Sequence, residues 1–430
     1  MWGSGAAGQR GNGGRAISLK LVAAFLISIS GIVGAQDAAA LPRRPADELT
    51  VYLMTMGPGK AVWERFGHNA IWIHDPARGT DETYNYGLFD LRQEKFLVRF
   101  LQGRMWYWMQ GFPSESYVQL YRRANRSVWI QELEMSPEAK RDLQNFLEWN
   151  ELPENRFYHY DYYRDNCSTR VRDALDRALG GRIKDYADTL ATGKTYRFHT
   201  QRLTAKDPFV YTGLLLGLGQ PVDRELSAWD EMFLPLALRD HIRSITVTSA
   251  DGNQVPAVRS EQTLFESTER PPLRVPLFWL PAYIALGVAV AVTTVALAWA
   301  GTTSPAARRG FMVLSGGWTL LVGIFGLVLA GLWALTDHAA AYQNENLLQL
   351  NPLQLALFPL LVRSTTASTR RRVWLAGFLV ALSVGGLLLK LVPGFYQVNG
   401  EIIGLALPIH LGVAAGCYYL SRCIPSRASA

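Results

Sequence analysis

Cysteine is nearly absent from this chain. Its 430 residues carry three, and Cys167 stands alone between residues 41 and 275, while Cys417 and Cys423 lie in or beside the last apolar stretch. No disulfide can form within the polar two-thirds of the chain, which excludes a small disulfide-stapled fold. One cysteine and scattered histidines give no pair at zinc-ligand spacing, so no metal is expected. Ser114, Ser116 and Ser168 lie outside any nucleophile-elbow pattern, which argues against serine catalysis. A base-reading motif is also missing. The net charge of +7 owes much to Lys and Arg flanking apolar runs, so nucleic acid is not an expected partner.

The apolar residues are unevenly spread. Arg10, Arg15 and Lys20 precede an apolar run at 21–33 and the small-residue site Val33-Gly34-Ala35. This is the pattern of a secretory signal peptide over 1–35, with an uncleaved anchor as the alternative, and either one exports the next domain. Residues 47–266 read as a mixed α/β domain with strands at 49–56, 66–74 and 83–89. A helix opens at Ser136-Pro137-Glu138 and runs to Asn150. A second runs from Asn166 to Gly180-Gly181, with Cys167, Val171, Leu175 and Ala178 on one stripe. Arg170, Arg172, Asp173, Asp176 and Arg177 lie mostly on the other. A proline-bearing linker at 267–276 leads to a membrane domain at 277–422, with about five spans at 277–300, 311–335, 347–362, 373–392 and 402–420. Arg308 and Arg309, then Arg363 and Arg370 to Arg372, then Arg422 and Arg427 mark alternate loops and the tail as cytoplasmic, which places the N-terminal domain outside.

Cys167 sits in Asp165-Asn166-Cys167-Ser168-Thr169-Arg170. At a helix N-terminus, unpaired N–H groups and the dipole stabilise a thiolate, and the backbone around Asn166 and Ser168 can equally serve an oxyanion. The plain alternative is a small hydrophobe packed under the helix. A thiol nucleophile needs a base, and His68 is offered by the second strand, on the face shared with Ala70, Trp72 and His74. A satisfied core histidine is the alternative there, although Phe66-Gly67 lets another chain approach closely. Trp106 and Trp108 either line an acyl chain or rest at the lipid interface, and ordinary core packing explains them as well. His338, Asn344 and Asn346 fall in an outer loop without Lys or Arg, suited to a lipid head group or to the soluble domain; helix caps and turns account equally for the asparagines.

Three separated motifs carry more than their local chemistry: Trp63-Glu64-Arg65-Phe66-Gly67-His68-Asn69-Ala70, Tyr84-Asn85-Tyr86-Gly87 and Tyr162-Tyr163-Arg164-Asp165-Asn166-Cys167-Ser168-Thr169. Taken in order they resemble the periplasmic domain of the Lnb-type lipoprotein N-acyltransferases. Phe233-Leu234-Pro235, Thr336-Asp337-His338, Asn344, Asn346, Leu347 and Asn351-Pro352 extend the resemblance into the membrane half. It implies an α+β, circularly permuted papain-like (NlpC-type) extracytoplasmic domain followed by an all-α membrane domain, at the bacterial cytoplasmic (inner) membrane. The order of His68 and Cys167 is also similar to that of lecithin:retinol acyltransferase relatives. By the same resemblance a third polar residue orients His68: Asn85, with Tyr84 or Tyr86 as alternatives. The implied activity moves an acyl chain from a phospholipid or glyceride, through a Cys167 thioester, to the N-terminal cysteine of a bacterial lipoprotein, with no cofactor. An NlpC-type cell-wall peptidase or amidase, a lipid hydrolase, and a non-catalytic membrane scaffold are the alternatives.

Overall fold

The computed structural model describes residues 49–249, 251–362 and 366–423, so the expected signal segment at 1–35 lies outside the described residues. Seven strands form one antiparallel sheet: β1 (Thr50–Met56), β2 (His68–Asp75), β3 (Thr80–Leu88), β4 (Trp106–Pro113), β5 (Val128–Leu133), β6 (Phe157–His159) and β11 (Val258–Phe265). Their order is β11-β5-β1-β2-β3-β4-β6. β7 (Ala191–Thr195) pairs with β8 (Glu225–Ser227), and β9 (Thr246–Thr248) with β10 (Gln254–Pro256). The central strand β1 is buried along its whole length, which explains why its sequence does not alternate. β2 pairs with β1 throughout, from Thr50↔His74 to Met56↔His68. Its ladder with β3 ends at Ile71↔Tyr84, so the start of β2 and the end of β3 part from one another at one end of the sheet.

The soluble helices are α1 (Phe96–Gln102), α2 (Ser114–Arg123), α3 (Pro137–Glu151), α4 (Cys167–Ala178), α5 (Arg182–Ala187), α6 (Tyr196–Thr204), α7 (Pro208–Gly217), α8 (Ala228–Glu231) and α9 (Pro235–Ile242). Period-two alternation divides the sheet into faces. Leu53, Ile71, Ile73, Tyr84 and Tyr86 pack against Leu143 and Leu147 of α3, Val171 and Leu175 of α4, and Leu238 of α9. The expected polar stripe of α4 contains one exception. Arg172 is buried, its guanidinium lying 3.7 Å from the Trp229 ring centroid and its Nη1 donating to the Trp229 carbonyl at 2.7 Å. Ring face and carbonyl replace the water this cation would otherwise need.

The membrane half holds α10 (Leu280–Ala300), α11 (Pro305–Leu335), α12 (Gln354–Val362), α13 (Thr366–Leu388) and α14 (Gly400–Cys423). Among the described residues four helices are long and apolar enough to cross a bilayer, formed by α10, α11, α13 and α14. The segment expected as a span at 347–362 is broken instead. A 3-10 turn, Glu345–Leu348, is followed by an irregular stretch and the nine-residue α12. This segment lies along α11, since a Cβ on Gly326 would meet Leu350, Asn351 and Pro352, one on Gly323 would meet Leu355, and one on Gly316 would meet Phe358. Non-helical backbone at such depth is tolerated where protein covers it, and Gln349 and Gln354 are both buried here.

Soluble and membrane halves are tied through α7. The amide of Asn344 donates to the carbonyls of Leu216 (2.8 Å) and Gly217 (3.2 Å), and that of Asn346 to Leu215 (2.9 Å) and Leu216 (3.2 Å). These are carbonyls that the end of a helix leaves unpaired. Gly219 N–H donates to the Ala340 carbonyl (2.8 Å), Gln397 donates to the Leu218 carbonyl (3.0 Å), and the Tyr211 hydroxyl reaches Glu401 (3.0 Å).

Candidate functional site

α4 starts where Asn166 makes it start. The Asn166 Oδ1 accepts from the N–H groups of Ser168 (2.9 Å) and Thr169 (3.0 Å), while Thr169 Oγ1 accepts from the Asn166 N–H (2.8 Å), a reciprocal capping box. Its Nδ2 donates to the carbonyls of Tyr162 (2.9 Å) and Phe233 (3.0 Å). Cys167 is thereby fixed as the first helical residue, half-buried. Ser168 is fully buried, its Oγ 2.8 Å from Asn69 Oδ1 and 2.7 Å from the Met232 carbonyl. The Asn69 amide donates in turn to Thr55 Oγ1 at 2.8 Å. One polar chain therefore holds β1, β2 and the start of α4 in register, and what Ser168 offers the sulfur is its backbone N–H.

His68 opens β2 and bonds through Nε2 to the side-chain Oδ1 of the buried Asn85 in β3. With the Asn85 oxygen as acceptor, Nε2 carries the proton and Nδ1 is left as the basic nitrogen. Tyr84 and Tyr86, the other candidates for this orienting role, project to the opposite face. The Tyr86 hydroxyl donates to Asn150 at 2.7 Å, and that of Tyr84 lies 3.4 Å from Glu82. Gly87 is where Cys167 and His68 converge. It has φ +94°, and a Cβ built there would lie 3.3 Å from Cys167 Cβ, 3.9 Å from His68 Cε1 and 3.9 Å from the Tyr158 hydroxyl. A side chain at this position would fill the space between them.

Three further residues converge on this point and bear no motif. Tyr121 of α2 stacks on His68, with centroids 6.4 Å apart and planes 11° apart. Arg126 lies over the Tyr121 ring at 4.6 Å, donates from Nε to the Gly57 carbonyl at 2.9 Å and pairs with Glu64 at 3.4 Å. Its Nη2 is buried and finds no partner among the described residues. Tyr158 is buried under Arg170, whose guanidinium sits 4.4 Å from its ring centroid, and the Tyr158 hydroxyl likewise has no partner among the described residues.

These surroundings set the electrostatics. Burial pushes the Cys167 thiol up to about 11, opposed by the N–H groups of Asn69 and Ser168 and by the Arg126 charge. Burial brings the His68 imidazole down to about 4, against its bond to Asn85 and with the Arg126 charge adding to the fall. At neutral pH the resting pair is thiol and imidazole.

Comparison with known proteins decides the family. Residues 36–202 match the Lnb N-terminal periplasmic domain, and residues 277–419 match the Lnb transmembrane domain. The chain belongs to the Lnb family. No curated protein and no solved structure matches it. As an Lnb-family member it is a multi-pass inner-membrane protein with a periplasmic N-terminal domain.

The remaining expected site residues of this Lnb protein divide by face. Trp106 and Trp108 alternate with Tyr107, which packs with Cys167 against the sheet core. Trp106 instead contacts His159, with ring centroids 4.2 Å apart, and Trp108 Nε1 donates to Gln110 at 3.4 Å. Asn344 and Asn346 are buried and engaged with α7 rather than open to a head group. His338 stacks on Tyr162 (6.0 Å, 12°), the residue whose carbonyl receives the Asn166 amide.

Proposed function

We propose that this protein is a thiol-dependent lipoprotein N-acyltransferase of permuted papain-like architecture, with Cys167 as nucleophile, His68 as base and Asn85 as the group that orients His68. The observation carrying this reading is the convergence on Gly87. A cysteine at a helix start and an asparagine-bound histidine face one gap at the end of the sheet, in a chain of the Lnb family. Residues 47–266 form the catalytic domain, 267–276 the linker, and 277–422 the membrane domain of four long helices and one broken crossing.

In the first step His68 Nδ1 takes the thiol proton as Cys167 Sγ bonds to the acyl carbonyl carbon of a phospholipid or glyceride. The backbone N–H groups of Asn69 and Ser168, joined by the Tyr158 hydroxyl, stabilise the oxyanion. The C–O ester bond then breaks, and His68 returns its proton to the departing lyso-lipid oxygen. In the second step the α-amine of the lipoprotein cysteine attacks the thioester. His68 takes the amine proton and delivers it to the departing sulfur, which leaves an amide and the free thiol.

Purified protein given phospholipid without an amine is expected to release lyso-lipid and gain an acyl mass on the Cys167 peptide, removable by neutral hydroxylamine. A diacylglyceryl lipopeptide should discharge it into an amide. Cys167→Ser and His68→Ala should each abolish lyso-lipid release while the protein still accumulates. Cleavage of muropeptides without lyso-lipid release would replace this reading with a cell-wall peptidase.

A further inference from the structure

α1 buries none of its own residues. Its sequence, Phe-Leu-Val-Arg-Phe-Leu-Gln, leaves Leu97 67% and Leu101 58% exposed, with Val98 and the preceding Leu91 exposed as well. A contiguous apolar face on a soluble domain marks a docking surface, and here the attachments of α1 identify its occupant. The Asp337 N–H donates to the Gln102 carbonyl at 2.8 Å, Arg104 pairs with Asp337 at 2.6 Å, and His338 Nε2 bonds the Phe100 carbonyl at 2.9 Å. Gly103, at φ +75°, closes the helix where a Cβ would lie 2.8 Å from the backbone of Asp337 and His338, so the two chains touch without an intervening side chain. Asp337 is two residues past the end of α11, the spanning helix whose last residue, Leu335, is 80% exposed. The apolar face of α1 therefore continues the lipid-exposed surface of α11 at its outer end.

Charge in this stretch is largely paired internally: Arg92 with Asp90 (3.1 Å), Lys95 with Glu94 (3.5 Å) and Arg104 with Asp337, which leaves Arg99, bonded to Gln93 at 2.9 Å, as the one cation of residues 90–104 with no carboxylate partner among the described residues. Another exposed apolar point occurs where α10 enters from the outer side. Phe209, 92% exposed, begins α7, and Phe278 is exposed just before α10.

The inner side of α1 leads to the nucleophile. Phe96 and Phe100 belong to a closed circuit of rings. Phe89 contacts Phe96 (6.2 Å), Phe96 contacts Phe100 (6.2 Å), and Phe100 contacts His338 (6.4 Å). His338 contacts Tyr162 (6.0 Å), Tyr162 contacts Tyr160 (6.0 Å), Tyr160 contacts Tyr107 (4.2 Å), and Tyr107 returns to Phe89 (5.0 Å). Tyr107 and Tyr160 pack with Cys167 against one core. We infer that α1 is seated in the outer leaflet of the bilayer and that the lipid acyl donor leaves the membrane there, reaching Cys167 along the aromatic wall behind it. The second half of this inference rests on the acyl-transfer reading; the first does not.

Depth and activity test the two halves separately. In a chain carrying Cys167→Ser and Cys423→Ser, a nitroxide on Leu97→Cys or Leu101→Cys in phosphatidylcholine and phosphatidylglycerol nanodiscs should be relaxed by oxygen in preference to a water-soluble nickel chelate. A label on Glu94→Cys should show the opposite. Equal nickel access at positions 94 and 97, or protection of position 97 from both relaxants as under a second copy or a protein partner, overturns the membrane seat. In the otherwise wild-type chain, Leu97→Glu with Val98→Glu should lower the ratio of bilayer-lipid turnover to p-nitrophenyl butyrate turnover at least ten-fold. An unchanged ratio overturns the donor route. Wild-type protein inert toward both donors would count against the acyltransferase reading while leaving the depth result standing.

Discussion

His68 is held neutral by burial, and that has a measurable sign. A base lowered to about 4 stays competent down the acid range and loses its function only as pH falls through that value, because the imidazolium cannot take the thiol proton. The acid limb of kcat/KM is therefore expected well below the ordinary histidine value of about 6.5, and a limb at 6.5 or above would refute the buried-base picture. Arg126 disfavours the imidazolium and favours the thiolate. Arg126→Gln should move the acid limb upward and slow alkylation of Cys167 by iodoacetamide, with Arg126→Lys intermediate. A loss of stability alone would leave the limb in place. Tyr158→Phe removes one hydroxyl from the proposed oxyanion site and should lower kcat on the order of 100-fold with little change in KM, read by steady-state kinetics. Cys167, His68 and Asn85 were legible in sequence because each stands in a motif at a helix start or strand end. Arg126 and Tyr158 were not, since they approach from α2's far end and from β6, and only tertiary packing brings them to Gly87.

At the scale of elements, α4 depends on Asn166 for its cap and its direction. Asn166→Ala removes the cap, at a cost of about 1 kcal/mol, together with the bonds to the Tyr162 and Phe233 carbonyls. Asn166→Asp keeps the accepting oxygen but loses the donor and sets a negative charge beside the thiol. Thermal unfolding should rank wild type above Asp and Asp above Ala, while thiol reactivity should fall in both. β1 to β3 and α4 were readable from apolar and β-branched runs bounded by turns and from the Asn-Cys start, with boundaries displaced by up to three residues, as at Thr80, where β3 begins ahead of the expected 83; β4 to β11 were not read. The broken segment 345–362 was only half readable. Its apolar content gave a span, but the break falls around Asn351-Pro352, ahead of α12, which begins at Gln354 and runs on through Pro359, and the bonds that rescue a broken helix come from neighbours the sequence does not name.

For the whole molecule, the orientation expected from Arg and Lys placement can be read with reporters. A periplasm-dependent reporter should be active when fused after Gln397 and silent after Arg309. The coupling between the two halves is equally open to test. Asn344→Ala with Asn346→Ala strips four amide bonds from the end of α7 and should destabilise the detergent-solubilised protein by a few kcal/mol, at about 1 kcal/mol per bond, seen as a lower midpoint of thermal unfolding. Those caps fix α7 to the membrane loops, so the domain that bears Cys167 is tied to the membrane half. Turnover should then follow surface-dilution kinetics: at constant bulk lipid, replacing donor phospholipid with an inert ether lipid should slow the enzyme in proportion to the donor's mole fraction in the plane, whereas adding more vesicles of unchanged composition should leave each bound enzyme's rate as it was.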